Sequence, residues 1–415
     1  MVSVDFRTRP TGEADLTDLA TFRETRLPAL LDRHGHEAGR AAGRLGLHPL
    51  TLRVGDELLT LVPGGDRIAA RTVESDTLVV DLDARTFADL VQDVVSTFGA
   101  QMTGRAEIAR GTVAAFVEWE PVLRCLIDGR PVYEPGSIDF RDRAGRPLDP
   151  AGSFTLADDP ADIGHFLAEV GYLHLRNVFT EPEMAQVSAE LDAAIAEATR
   201  DDGASWWART EPGGWYPARI LGFNHKSPAL RELLTDSRFR ALATFTDDDW
   251  IQGDPDLDDC AEGLLKKVGV VEGASDVSWH KDCTMGGHSH HCAGLVVGIS
   301  VTSAGRETGE LGVVPGSHRA NIATLGIEGL DLPRLALPTN AGDLTVHCSC
   351  TLHMSRPPVT GERRVVYTGL RLAGGDEPAP DRAEVRRRRA ALNDRVIERR
   401  TTDRRDRVRL GSHDL

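Results

Sequence analysis

The sequence predicts an α+β protein of two domains. A mixed N-terminal unit precedes a C-terminal antiparallel barrel or jelly roll with flanking helices. Three observations carry this. The chain has 415 residues, long for one core and comfortable for two. Its first third mixes helical spacing with short alternating segments. Beyond Trp250 the sequence changes to short strands separated by Gly-rich turns.

The first unit is expected over residues 18–135. It opens with a helical pattern from Leu19 to Leu31. Three half-buried strands follow, Leu50–Val54, Leu58–Val62 and Leu78–Leu82, each alternating with period two. Phe87, Leu90, Val91, Val94 and Phe98 share one face of a helix predicted over Ala84–Gly99. The apolar stretch Thr112–Trp119 fits helix or strand, and Pro121 is expected to interrupt it before the turn Asp128-Gly129-Arg130-Pro131. Residues 136–155 have the Gly, Pro and mixed charge of a linker.

The second domain is expected over residues 156–375. It starts with a helix within Leu156–Val170 and a strand within Gly171–Phe179. Thr180 can cap the next helix with Glu183 as its capping-box partner. That helix runs to about Ala198, with Met184, Val187, Leu191, Ala194 and Ile195 as its apolar positions. Residues 376–415 form an Arg-rich tail, read as a solvated helix because acids such as Glu384, Asp394 and Glu398 intersperse Arg386-Arg387-Arg388-Arg389.

Composition excludes several classes. A formal net charge of −16 argues against a general nucleic-acid binder. No apolar run approaches the roughly 20 residues of a membrane span. The N-terminus lacks the layout of a secretion signal, and six cysteines in a chain this long suit a reducing compartment, so a cytoplasmic protein is expected.

The chemistry is concentrated late in the chain. His280-Lys281-Asp282 puts an imidazole and a carboxylate at i and i+2, which project to one side of an extended strand. With His353 they make a two-histidine, one-carboxylate set. Such a set suits ferrous iron and leaves positions open for a co-substrate and O₂. Arg364, eleven residues after His353, supplies a permanently charged fork for a carboxylate. His318 and His347 are rival ligands, but only His353 has an Arg at that later position. The loop Cys283…His288-Ser-His290-His291-Cys292, with Cys348 and Cys350, raises a zinc site as an alternative, at spacings that match no familiar finger. Trp206, Trp207, Trp215 and Tyr216 could cover an apolar substrate or simply pack. Asn224 is a further candidate for the cavity.

Several motifs in order resemble the phytanoyl-CoA dioxygenase family. They are Trp279-His280-x-Asp282, the run Gly309-Glu-Leu-Gly-Val-Val-Pro-Gly-Ser-His318, and Gly342-Asp343…His353-x-Ser355 with the following Arg. The resemblance covers about residues 156–372. It implies a double-stranded β-helix, with His280, Asp282 and His353 on Fe(II). It also implies Arg364 on the distal carboxylate of 2-oxoglutarate, aided by Ser355 and an upstream lysine. Lys266 and Lys267 both fit that lysine, with Lys267 preferred. The implied reaction consumes O₂ and converts 2-oxoglutarate to succinate and CO₂ while removing hydrogen from carbon. Hydroxylation is the default outcome, and desaturation and ring formation share its early steps. Halogenation is disfavoured because Asp282 is present.

The first unit resembles the sterol-carrier domain in Leu78–Val91, Met102–Ala109 and Leu126–Gly136. That resemblance implies helices against a small sheet around an apolar tunnel, either open to lipid-like molecules or closed and used for docking or homodimerisation. Together the two suggest a small hydrophobic or carrier-linked substrate. The alternative is a non-catalytic lipid-binding or scaffold protein with a vestigial oxygenase fold.

Overall fold

The computed structural model describes residues 16–211, 213–273, 277–285, 287–290, 294–324, 327 and 330–372. The Arg-rich tail, His291 and Cys292 lie outside them. Packing divides the chain into two units. The first gathers the described residues up to Ile138 with those of Trp279–Cys292 and Ser317–Leu332, and the second gathers the rest. Two loops from late in the chain therefore count with the first unit, which a boundary drawn along the sequence does not capture.

The first unit contains β1 (Leu50–Val54), β2 (Glu57–Pro63), β3 (Ile68–Arg71), β4 (Leu78–Leu82) and β5 (Ala106–Arg110) in the order β3-β2-β1-β4-β5. Only β1 and β4 pair in parallel. Leu50 lies opposite Leu61 and Leu52 opposite Leu59, so the alternation read in the sequence becomes one apolar face. That face packs on Phe22, Phe87, Leu90, Trp119 and Leu123.

The helices of this unit differ from expectation in three places. The first helical stretch continues past Leu31 to Arg44, through a π turn at Phe22–Arg26. Gly35, Gly39 and Gly43 weaken its helical signal, yet Gly39 is required by packing. A Cβ there would lie 2.3 Å from the Arg67 Cα. The helix predicted over Ala84–Gly99 is two, Ala84–Val91 and Thr97–Met102. Asp93 breaks it with a φ of 55°, and Ser96 caps the second piece by accepting the Gly99 N–H at 2.9 Å. Pro121 does not interrupt the stretch after Thr112. It opens the helix Glu120–Asp128, in the first turn where a missing N–H costs nothing.

An apolar cavity in this unit, lined by Phe22, Leu27, Leu52, Leu59, Leu90 and Leu123 among others, measures about 10 Å³ for a water-sized sphere. That is room for about one water, so side chains fill this part of the interior.

The second unit is built on long antiparallel pairings of jelly-roll type. Its strands are β6 (Tyr172–Leu175), β7 (Ser205–Thr210), β8 (Gly214–Ile220), β9 (Trp250–Gln252), β10 (Ala261–Lys266), β11 (Val270–Gly273), β12 (Val277–His280, whose last two residues count with the first unit), β13 (Gly294–Ser300), β14 (Leu311–Val313), β15 (Leu335–Leu337), β16 (Leu344–Cys348), β17 (His353–Ser355) and β18 (Arg363–Leu372). Among the described residues one sheet runs β11-β7-β8-β10-β18-β13-β16-β6, with β9 also on β18, and a second runs β12-β17-β14-β15. Before β6 lies the helix Pro160–Val170, and after it the helix Glu181–Glu197. The capping box expected at Thr180 forms in both directions: Thr180 N–H donates to Glu183 Oε2 at 2.7 Å, and Glu183 N–H to Thr180 Oγ1 at 3.4 Å. No described helix is long and apolar enough to cross a membrane.

Candidate active site

β12 ends on His280, and a short 3₁₀ turn begins at Asp282, so one chain reversal delivers both side chains. His280 Nε2 and Asp282 Oδ1 are 3.2 Å apart. His353 opens β17, the neighbour of β12 in the four-stranded sheet. The ligand atoms of His280, Asp282 and His353 all lie within 4.8 Å of one another. His353 Nδ1 donates to the Thr351 carbonyl at 2.9 Å. That bond fixes the tautomer in which Nε2 carries the lone pair that a metal would need.

His347 is buried in β16 with its ring centroid 4.2 Å from that of His353, packed beside it at a 47° tilt. The backbone carbonyl of His318 lies within reach of Arg130 Nη2 at 3.5 Å, in the first unit.

A second polar cluster lies in β10, β17 and β18. Lys266, only 2% exposed, donates from Nζ to Ser355 Oγ at 2.8 Å and to the Arg356 carbonyl at 2.8 Å. Arg363, also 2% exposed, donates from Nη1 to the Gly309 carbonyl at 2.9 Å and to Ser355 Oγ at 3.2 Å. Arg363 Nε is buried with no hydrogen-bond partner among the described residues. Lys266 and Arg363 stand directly opposite each other in the β10–β18 register, which puts both on one face.

Two of the predicted site residues, Arg364 and Lys267, lie outside this cluster. Arg364 is one residue along β18 and faces the other way. Its guanidinium bonds the Ser188 carbonyl and hydroxyl and pairs with Asp192 and Glu362. The hydrogen bond to Asp192, ahead of the opposing desolvation, holds its pKa above the usual value. Lys267 lies over the Tyr216 ring, 5.0 Å from its centroid. Ser355 Oγ has Lys266 and Arg363 as its cationic partners. The signal that separates each doublet is strand parity, which depends on a register the sequence does not state.

Two further residues shape the entry to β16. Gly342, at a φ of 89°, turns the chain into β16; a Cβ there would lie 2.0 Å from the Phe179 carbonyl oxygen. Asp343 then accepts from His174 Nε2 at 3.1 Å and from the Asn177 and Asn340 N–H groups, both at 2.8 Å. Burial pushes its pKa up, but those hydrogen bonds outweigh it and the net shift is downward. Asn224 is structural, bonding the Pro255 and Asp258 carbonyls and the Ala261 N–H. Trp206, Trp207 and Trp215 lie on the β7–β8 hairpin, with Arg219 over Trp206 and Arg200 over Trp215.

Fold and donor set are those of a non-haem iron, 2-oxoglutarate-dependent oxygenase, an enzyme class whose cofactors are Fe(II), 2-oxoglutarate and O₂. Within that class, residues 167–366 match the model of the phytanoyl-CoA dioxygenase (PhyH) family. Comparison with curated proteins gave no match. Among solved structures, AviO1 from Streptomyces viridochromogenes Tue57 is 23% identical over 54% of this chain and 98% of its own, with a TM-score of 0.43. The α-ketoglutarate-dependent epimerase SnoN from nogalamycin biosynthesis is 24% identical over 52% of this chain and 85% of its own, with a TM-score of 0.41. EctD from S. alaskensis, solved with 2-oxoglutarate and 5-hydroxyectoine, is 20% identical over 60% and 92%, also with a TM-score of 0.41.

Proposed function

We propose that this oxygenase oxidises an unactivated C–H of a small hydrophobic or carrier-linked molecule, with hydroxylation as the default outcome. His280, Asp282 and His353 hold Fe(II), and Lys266, Arg363 and Ser355 hold the distal carboxylate of 2-oxoglutarate. The observation that carries the reading is the convergence of two imidazoles and one carboxylate within 4.8 Å. Two further points support it. Two imidazoles and a carboxylate are a donor set for ferrous iron that leaves positions open. Two buried cations around one hydroxyl, one of them with an unused Nε–H, suit a carboxylate.

Spacing supports the same assignment. His353 and Ser355 are i and i+2 on β17, so they share a face about 6.6 Å apart along the strand. A five-carbon dicarboxylate bridges a span of that order. When bound, the metal and co-substrate supply the oxidising chemistry. The chain's residues do the rest. Thr351 holds the His353 ring in its ligating tautomer, and Lys266 and Arg363 fix the far end of the co-substrate.

The first unit we read as sterol-carrier-like, serving as a closed module in the same chain, since its interior cavity has room for about one water. Anaerobic addition of Fe(II) and then 2-oxoglutarate is expected to give a weak visible charge-transfer band. Succinate release, screened against lipids and carrier-linked acids, then identifies the substrate. A protein that binds 2-oxoglutarate no more tightly with Fe(II) than without it would refute the assignment.

A further inference from the structure

Asp93 is a buried group that the proposed iron site leaves unused. It stands at the break between two helices of the first unit, with a φ of 55° and a side chain 1% exposed. Its Oδ1 accepts the Ser289 N–H at 2.9 Å, and its Oδ2 lies 3.0 Å from His290 Nδ1. Three residues on, the Ser96 N–H donates to the Gly287 carbonyl at 2.7 Å and the Ser96 hydroxyl to the Thr284 carbonyl at 3.0 Å. Residues 93–96 therefore fasten the loop at four points between Thr284 and His290. Asp282 sits in the same 3₁₀ turn as Thr284.

The fastening is itself anchored. Arg124, 0% exposed, lies 3.7 Å from Asp93 Oδ1, 3.3 Å from Glu120 and 3.1 Å from Asp128. It also donates to the Leu90 carbonyl at 2.6 Å. A fully buried guanidinium among three carboxylates is weak evidence for stability as such, because desolvation offsets its attraction. What it supplies here is a fixed cationic neighbour for Asp93, 3.7 Å from the same Oδ1 that accepts the Ser289 N–H. The loop's other end is tied in the same unit, since Lys281 Nζ donates to the Ser317 and Ala320 carbonyls at 3.0 and 3.3 Å.

We propose that Asp93, with Ser96, is a positioning residue for the metal site: it fixes the loop that carries Asp282, so that this carboxylate is presented to Fe(II) already in place. The inference rests on the reading of His280 and Asp282 as iron ligands. It gives the first unit a role in metal binding that a delivery domain would not have. Groups that hold a metal ligand from behind typically cost ten- to hundredfold in metal affinity when removed.

The test uses the full chain. Fe(II) affinity is measured by anaerobic titration with 2-oxoglutarate present, and amide hydrogen exchange is followed in the metal-free protein. Asp93→Asn is expected to weaken Fe(II) binding at least tenfold and to speed exchange in residues 281–290. Ser96→Ala is expected to move both in the same direction, by about threefold. Asp89→Asn is the control, because Asp89 is buried in the same unit but pairs with Arg85 and Arg105. It should lower stability and leave Fe(II) affinity unchanged.

Wild-type Fe(II) affinity in Asp93→Asn would overturn the proposal, as would equal losses in Asp93→Asn and Asp89→Asn. If Asp93→Asn does not fold, Ser96→Ala decides, and unchanged affinity and exchange there overturn it. If the unaltered protein shows no Fe(II)-dependent band, the ligand reading itself has failed. The exchange measurement then still reports whether Asp93 holds the loop.

Discussion

Ser355 receives a lysine and an arginine from two facing strands, and the consequences of that pairing can be measured one residue at a time. Arg363→Ala removes charge-assisted hydrogen bonds worth about 1.5–3 kcal/mol. The KM for 2-oxoglutarate is then expected to rise about ten- to hundredfold, with kcat changed less. Arg364→Ala should leave that KM within about twofold, because its guanidinium is committed to Ser188, Asp192 and Glu362. A larger effect from Arg364→Ala than from Arg363→Ala, in steady-state assays varying 2-oxoglutarate, would reverse the assignment. The contrast marks what the sequence could carry. His280, Asp282, His353 and Ser355 could be proposed from the sequence because their chemistry and spacing are specific. Arg363 and Arg364 are neighbours on β18, and Lys267 follows directly on the last residue of β10, so each doublet sends its two side chains to different partners. Only the pairing of Lys266 with Arg363 tells which members share the Ser355 side.

Helices and turns show the same division between local and tertiary information. The capping box at Thr180 is a local device, and it forms where the sequence puts it. Thr180→Ala should cost about 1 kcal/mol, read as a lower denaturation midpoint with Fe(II) binding intact. Gly342 is a tertiary matter. Its left-handed φ excludes a side chain, and so does the Phe179 carbonyl oxygen, 2.0 Å from where a Cβ would lie. Gly342→Ala should destabilise by at least about 1–3 kcal/mol, since the clash is with backbone. A denaturation midpoint unchanged by that substitution would mean that the turn relaxes freely. The helix through Gly35 and Gly39 is hard to read from sequence for a related reason. Propensity penalises those glycines, and the close Arg67 backbone that requires one of them lies 28 residues away in sequence. The break at Asp93 is hidden because its neighbours Val91, Val94 and Phe98 keep helical spacing across the point where a positive φ ends the helix.

At the scale of the whole molecule, periodicity could announce two units but not the return of Trp279–Cys292 and Ser317–Leu332 to the first. Membership of a loop is decided by partners such as Asp93 and Asn321, which carry no periodic signal. The whole molecule also sets the response to acid. Glu183 has its pKa lowered to about 2, first by its hydrogen bond with Arg238, and Asp236 is likewise lowered to about 2 by the same arginine. Asp343 shifts in the same direction, and Glu120 opposes them because burial raises its pKa. For the depressed groups the unfolded chain binds protons at a higher pH than the folded one, near about 4. Their stabilisation is complete above that range and is lost as pH falls toward about 2. Glu183→Gln should therefore be less stable than the wild type at neutral pH, and the gap should narrow steadily through the acid range. Urea midpoints at a series of pH values measure this directly. A gap that stays constant from neutral pH down to about pH 2 would mean that Glu183 stabilises the helix only as a neutral hydrogen-bond acceptor, and that its pairing with Arg238 contributes nothing to the fold.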